Sequence, residues 1–168
     1  PALIFMVAII GYPILYNFIL SFQKVDVMTV GSSVREFVGL KNYIEVLKDP
    51  MLILTMRHTL FYTVMSIAFQ FVLGFAFALF FNLNFKLSKF IRGLVMITWL
   101  MPITITGLSF KFMFSPSGGI INELLMRINL LDKPLEWLLN GPSAMWSLII
   151  TNIWIGVPFN MILLTTGL

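Results

Sequence analysis

The residues able to do acid–base or metal chemistry are few in this sequence, and they stand far apart. His58 is the single histidine among 168 residues, cysteine is absent, and no carboxylate falls between Asp49 and Glu123. A metal ion needs several ligands converging on one point, and acid–base catalysis needs titratable groups within reach of one substrate. His58 has only Arg57 beside it, so it reads as a structural residue at the end of an apolar run. We therefore expect no catalytic residue, no metal site and no cofactor. What stands out instead is a group of amides around a backbone irregularity, in TNIWIGVPFNM at 151–161. Pro158 has no N–H, and its ring crowds the carbonyl of Trp154. In an apolar medium a freed carbonyl must find another partner. Thr151, Asn152 and Asn160 flank the spot, and Gly156 exposes backbone within it. Two readings stay open: a packing kink, or the wall of a polar pathway lined by Asn152, Trp154, Pro158 and Asn160. Pro102 and the Gly11-Tyr12-Pro13 step raise the same question elsewhere.

The elements that carry these residues follow from the distribution of charge. Hydrophobic residues make up 59% of the chain and charged residues 11%, against about 25% charged in a soluble domain. Residues 1–23, 59–85, 93–110 and 137–168 carry no charge at all. A bilayer core about 30 Å thick takes roughly 20 apolar residues as a helix. This predicts an all-α, polytopic transmembrane helical bundle with spans at about 2–22, 58–82, 93–114 and 144–167. The connecting segments are then outer loops 23–57 and 115–143 and a cytoplasmic loop 83–92. The first apolar run has no basic flank or small-residue cleavage site and does not read as a signal peptide. It opens abruptly at Pro1, which suggests that the natural N-terminus lies upstream. The net charge of +4 comes from dispersed residues rather than a stripe, so nucleic acid is not an expected partner.

Lys86, Lys89 and Arg92 crowd the short 83–92 segment without an acid, whereas both longer loops mix signs. The excess of basic residues in short loops marks the cytoplasmic side, which puts that loop and the N-terminus inside. Each longer loop contains a helix-like pattern. Leu40, Tyr43, Ile44 and Leu47 recur on one side of the first, and Ile120, Ile121, Leu124, Leu125 and Ile128 on one side of the second. Glu123 and Arg127 are spaced as an i,i+4 pair opposite that second row. Such helices lie at the membrane interface, either packed on the ends of the spans or offering a platform to an extracellular partner. Lys111 sits within a turn of the outer end of the third run, placed to snorkel toward the headgroups or to meet an anionic group. The second run contains Gly74 and Ala78 four apart, the small-residue spacing that admits a neighbouring helix. With only Ser66 and Gln70 as polar content, it reads as scaffold.

Taken in order, FVGLKNYIEVLKDP, the WLMP segment, the F-x-P-x-G-G-x-x-N-x-L turn and the W-x-G-x-P-F-x-M-x-L-x-x-x-G-L run resemble a maltose-type permease. Such a permease is the membrane subunit of a binding-protein-dependent sugar importer of the ABC class. The resemblance runs from about Phe37 to Leu168 and implies the type I ABC importer permease fold, the MetI-like bundle, with four of its six spans present. In the family the Gly-Leu ending leads into an E-A-A-x-x-x-G-A loop that seats in the ATPase, and the sequence stops just short of it. The resemblance also implies the partners. These are a second homologous permease, two ATP-binding cassette subunits that hydrolyse the ATP, an extracellular solute-binding protein, and the lipid bilayer of a prokaryotic inner membrane. It places Ile155, Gly156 and Phe159 on the sugar site near the membrane midplane. A leucine at Gly156 is then expected to block uptake while leaving assembly intact. A neutral oligosaccharide suits the uncharged spans, and glycerol phosphate or another polar solute is the alternative. A polytopic enzyme or a purely structural membrane protein are the readings outside transport.

Overall fold

Pro13 decides the shape of the first apolar helix. In the computed structural model, Ala2–Met6 (α1) and Tyr12–Leu20 (α2) are joined by a π-helical turn, Val7–Gly11. The proline has no N–H to give Ile9, and its ring needs room at that carbonyl. A π turn just ahead of it supplies the room by widening the helix, and Tyr12 N–H closes on Ala8 O. The structure describes all residues except Pro1, Met28, Val30, Ser32, Ser33, Val34 and Asn84. Parts of the expected first outer loop and of the short basic loop therefore lie outside the described residues.

The chain divides into two compact units, residues 1–57 and 58–168. In the first, the end of α2 is held by the helix Lys41–Lys48 (α3). Asn42 Nδ2 donates to Ser21 O at 2.9 Å and to Gln23 O at 3.0 Å, taking up carbonyls left free where the helix stops. Ser21 Oγ and the Tyr43 hydroxyl share a 2.6 Å hydrogen bond. Phe22 packs among Phe18, Phe37 and Tyr43. An antiparallel bridge joins Gln23 and Phe37. The amphipathic pattern thus forms its helix, but the side that holds it is Asn42 and Tyr43, while Leu40, Ile44 and Leu47 stay exposed.

The next helix, Pro50–Asn82 (α4), starts well ahead of the apolar run. Asp49 Oδ1 accepts the Met51 N–H at 2.8 Å. An acidic N-cap followed by proline in the first turn is a strong start signal. At 33 residues and 1.5 Å per residue the helix is roughly 50 Å long, more than the bilayer core requires.

In the second unit α4 is followed by Ser88–Leu100 (α5), Ile103–Met113 (α6), Ile120–Arg127 (α7) and Gly141–Thr165 (α8). Buried Ser88 donates to Phe81 O at 3.1 Å and closes the turn from α4 into α5. Lys89 and Arg92, expected in the loop, therefore lie in the first turns of α5.

The third apolar run is not one straight helix. α5 and α6 meet at 96°, as a broken span or a re-entrant pair. Proline disfavours the helical region for the residue before it, and here Met101 and Pro102 both have extended ψ values, 136° and 132°. Among the described residues, three helices are long and apolar enough to cross a membrane, four if the bent pair is one span.

Between α6 and α8 the chain folds around Asn122, which is 1% exposed. Its Nδ2 donates to Ser115 O and Leu135 O, and its Oδ1 accepts from Leu135 N–H and Trp137 Nε1. Gly118 has φ +72°, and a Cβ on Gly119 would sit 2.7 Å from Met113 O, so both glycines of the turn answer to backbone geometry. Phe114, almost wholly buried, packs on Trp137 and Phe110. α7 turns Asn122 inward and leaves Ile120, Leu124 and Ile128 exposed, while Glu123 and Arg127 pair at 3.6 Å as their spacing required.

Candidate functional site

Pro158 does not interrupt α8, which is helical from Gly141 to Thr165. Two side-chain amides bind carbonyls on either side of Trp154, those of Asn152 and Gly156. Gln70 of α4 donates from Nε2 to Asn152 O at 3.0 Å. Asn160 donates from Nδ2 to Gly156 O at 3.0 Å and to Gln70 Oε1 at 3.3 Å. The side-chain amides of Gln70 and Asn160 and the backbone carbonyls of Asn152 and Gly156 form one chain across the helix crossing.

Gly156 explains how Gln70 gets there. A Cβ on Gly156 would lie 2.5 Å from Gln70 Nε2 and closer still to Cδ and Oε1. One turn along, a Cβ on Gly74 would lie 2.7 Å from Asn160 Cβ and 3.2 Å from the backbone of Asn160 and Met161. The Gly74–Ala78 spacing therefore does admit a neighbouring helix, and Ala78 is fully buried. Each interhelical hydrogen bond in a membrane bundle contributes on average only about 0.6 kcal/mol. Close backbone contact at the glycines, rather than the amides, holds the crossing. The open side of Gly156 is thus filled by Gln70, so a leucine there is expected to part the helices. That replaces the expectation that such a variant would assemble normally.

Asn152, Gly156 and Asn160 share one row of α8, turned to Gln70. Ile155 and Phe159 form the adjacent row, about 100° round the axis. Ile155 is half-buried, and Phe159 is stacked on Trp99 of α5 with ring centroids 5.8 Å apart and planes 25° from parallel. Both rings remain nearly half exposed, at 47% and 45%. Trp154 lies on a different side, its ring meeting Phe110 of α6 edge-on at 6.1 Å. Pro158 is buried. Pro102 stands three residues after Trp99, just past the end of α5, and its bend lets both α5 and α6 pack on α8.

The residues named from sequence are thus divided between two jobs. Gly156, Asn152 and Asn160 belong to the α4 crossing, and Ile155 and Phe159 to a neighbouring aromatic face. Sequence reasoning missed Gln70 and Trp99. Gln70 had a signal, being the one long polar side chain in the charge-free run before Asn82. Trp99 was marked only by its place just before Pro102. Among the described residues no three histidine or acidic side chains gather as metal ligands, and α8 carries no charge. The chemistry this face offers is ring stacking and amide hydrogen bonding.

Fold and site together define a polytopic α-helical membrane protein. No family model matches the chain. It is 30% identical over 168 residues to the probable ABC transporter permease protein y4oQ of Sinorhizobium fredii, covering 100% of this chain and 53% of that protein. It is 29% identical over 168 residues to the trehalose/maltose transport system permease protein MalF of Thermococcus litoralis, covering 100% and 55%. Among solved structures, a bacterial ABC transporter involved in the import of the acidic polysaccharide alginate superposes with a TM-score of 0.74 at 22% identity. It covers 99% of this chain and 54% of that one, and it establishes the MetI-like bundle. The homologues of this chain are ABC transporter permeases, sugar permeases and an inner-membrane permease of Escherichia coli among them, and the described residues of this chain include several helices able to span a membrane. The chain spans about half the length of the curated relatives it matches.

Proposed function

We propose that this chain forms part of the translocation pathway of an ATP-driven, binding-protein-dependent importer of sugars or oligosaccharides. The single observation that carries the reading is the half-exposed Phe159–Trp99 stack on an uncharged helix, in a chain related along its whole length to sugar permeases. A flat aromatic pair presents a π face to the C–H face of a sugar ring, and nearby amides suit hydroxyls. Ile155, Phe159 and Trp99 are the proposed contact residues, with Gly156 and Gln70 behind them.

The chain does no bond chemistry of its own. ATP is hydrolysed on two partner cassette subunits, a second permease completes the pathway, and an extracellular binding protein delivers the solute. Alternating access moves these elements around the site. The turn with Lys86, Lys89 and Arg92 faces the cytoplasm.

The test is ATP-dependent uptake of radiolabelled maltose, trehalose and a panel of other neutral saccharides by cells carrying the complete transporter. Phe159→Ala and Trp99→Ala are each expected to lower uptake by about tenfold, equivalent to roughly 1.4 kcal/mol, with the amount of permease in the membrane unchanged. Uptake that continues after ATP depletion, or that ignores both substitutions, would remove the importer reading.

A further inference from the structure

The amide chain between α4 and α8 costs the sequence a glycine at 156 and a polar side chain in an otherwise apolar run. Its hydrogen bonds are too weak to be the reason the helices stay together, since the glycine contacts already do that. What the amides do control is angle. Gln70 holds the carbonyl of Asn152 at one end and the side chain of Asn160 at the other, two residues about two turns apart along one row of α8. A helix gripped at two points along one face is fixed in rotation about its own axis.

Ile155 and Phe159 are each one residue from that gripped row, next to Gly156 and Asn160 respectively. With side-chain ends about 5–6 Å from the helix axis, a rotation of roughly 20° swings the Phe159 ring by about 2 Å. The ring centroids of Phe159 and Trp99 are 5.8 Å apart, so a swing of that size takes the pair out of stacking register.

We infer that Gln70 is a positioning residue: its amide sets the rotation of α8 and thereby the Phe159–Trp99 face. The inference rests on the proposed function for its consequence in transport, because that face is the proposed sugar contact. The geometry it asserts is independent of any solute. Gln70 touches no sugar itself, and its role ends at the backbone and amide of α8.

The test uses the complete transporter, purified and reconstituted in lipid, with every other tryptophan of its subunits, Trp137, Trp146 and Trp154 among them, replaced by phenylalanine so that Trp99 alone reports. Gln70→Met keeps the length of the side chain and removes the amide. It is expected to shift Trp99 emission in the direction that Phe159→Ala shifts it, with an unchanged midpoint of thermal unfolding. A cysteine at Ile155, in a transporter with every other cysteine of its subunits replaced, is expected to change its rate of maleimide labelling by several-fold in the same variant. In transport of whichever probe sugar the wild type takes up, Gln70→Met is expected to raise the half-saturating concentration about tenfold and leave the maximal rate within about twofold, as misplacement of a binding face does.

A second variant, Gln70→Ala combined with Gly156→Ala, fills the emptied space with a methyl group and separates packing from angle. It is expected to unfold at the wild-type temperature and still show the shifted emission. Unchanged Trp99 emission in a stably folded Gln70→Met would overturn the inference. So would emission that returns to the wild-type value in the double variant, which would make Gln70 a space-filler. If no probe sugar is taken up by the wild type, the importer reading fails, while emission and labelling still decide the role of Gln70.

Discussion

Leucine in place of Gly74 is expected to drive α4 and α8 apart and abolish uptake. The first carbon of any side chain at 74 would already lie 2.7 Å from Asn160 Cβ and 3.2 Å from backbone atoms of Asn160 and Met161. Backbone cannot swing aside as a side chain does, so the whole of α8 must move. Overpacking a well-fitted contact costs typically about 1–3 kcal/mol, and leucine adds three further carbons to the one that already collides. No hydrophobic gain offsets this, because lipid tails are as apolar as leucine and the helices are held by close packing. The displacement also reaches the functional face. Gln70 lies one turn before Gly74, and its 3.0 and 3.3 Å bonds to α8 cannot stretch to follow. Two measurements check this: the thermal midpoint of the detergent-extracted protein, and sugar uptake by cells at matched expression. Alanine at 74 is expected to fall between wild type and leucine in both. A leucine variant that reached wild-type levels and transported normally would show that the crossing is looser than its geometry.

The apolar helices were legible in the sequence because burial in lipid is a one-dimensional requirement, met residue by residue along a charge-free run. What the runs do not encode is how a helix answers its prolines. Pro102 and Pro158 present the same chemistry, a missing N–H and a ring that crowds the turn before it. At Pro102 the preceding Met101 leaves the helical region and the chain turns by 96°. At Pro158 the preceding Val157 stays helical and buried, and α8 runs on for seven more residues. The difference lies in neighbours far along the chain. α8 is gripped beside Pro158 by Gln70, 82 residues away from the Asn152 carbonyl it meets, whereas Met101 stands at the exposed corner between α5 and α6.

Gly156 shows the same limit from the other side. Read alone, a glycine beside a proline in an apolar helix exposes backbone, and exposed backbone suggests a pathway. The structure fills that opening with Gln70, a residue whose own run looked like scaffold. The aromatic part of the site was half legible: Phe159 came from resemblance, while its partner Trp99 depends on where the Pro102 bend delivers the end of α5. Start signals were more local. Asp49-Pro50 begins α4 by a cap encoded in adjacent residues, ahead of the charge-free run that begins after His58.

The largest loss of stability outside the α4–α8 crossing is expected from Asn122→Leu. The two side chains are close in size, so the change removes chemistry rather than volume. Asn122 makes four hydrogen bonds at 2.9–3.1 Å from a site 1% exposed. Leucine leaves the Leu135 N–H and the Trp137 Nε1–H without acceptors in the same buried place. A buried donor stripped of its partner costs about 1–3 kcal/mol, so two of them set a loss of roughly 2–6 kcal/mol. Against a total stability of about 5–15 kcal/mol, that is enough to open the segment between α6 and α8 while α8 keeps its own backbone bonds. Hydrogen exchange is the direct measurement. The amide of Leu135 is expected to lose at least about tenfold in protection, the equivalent of 1.4 kcal/mol, with the amides in the middle of α8 unchanged. Asn122→Asp retains the acceptors for Leu135 N–H and Trp137 while losing both donated bonds, and is expected to fall between the two. If Leu135 exchanged no faster in the leucine variant, the segment would be held by Phe114 against Trp137, whose rings pack at 5.5 Å. Phe114→Ala would then be the substitution that opens it.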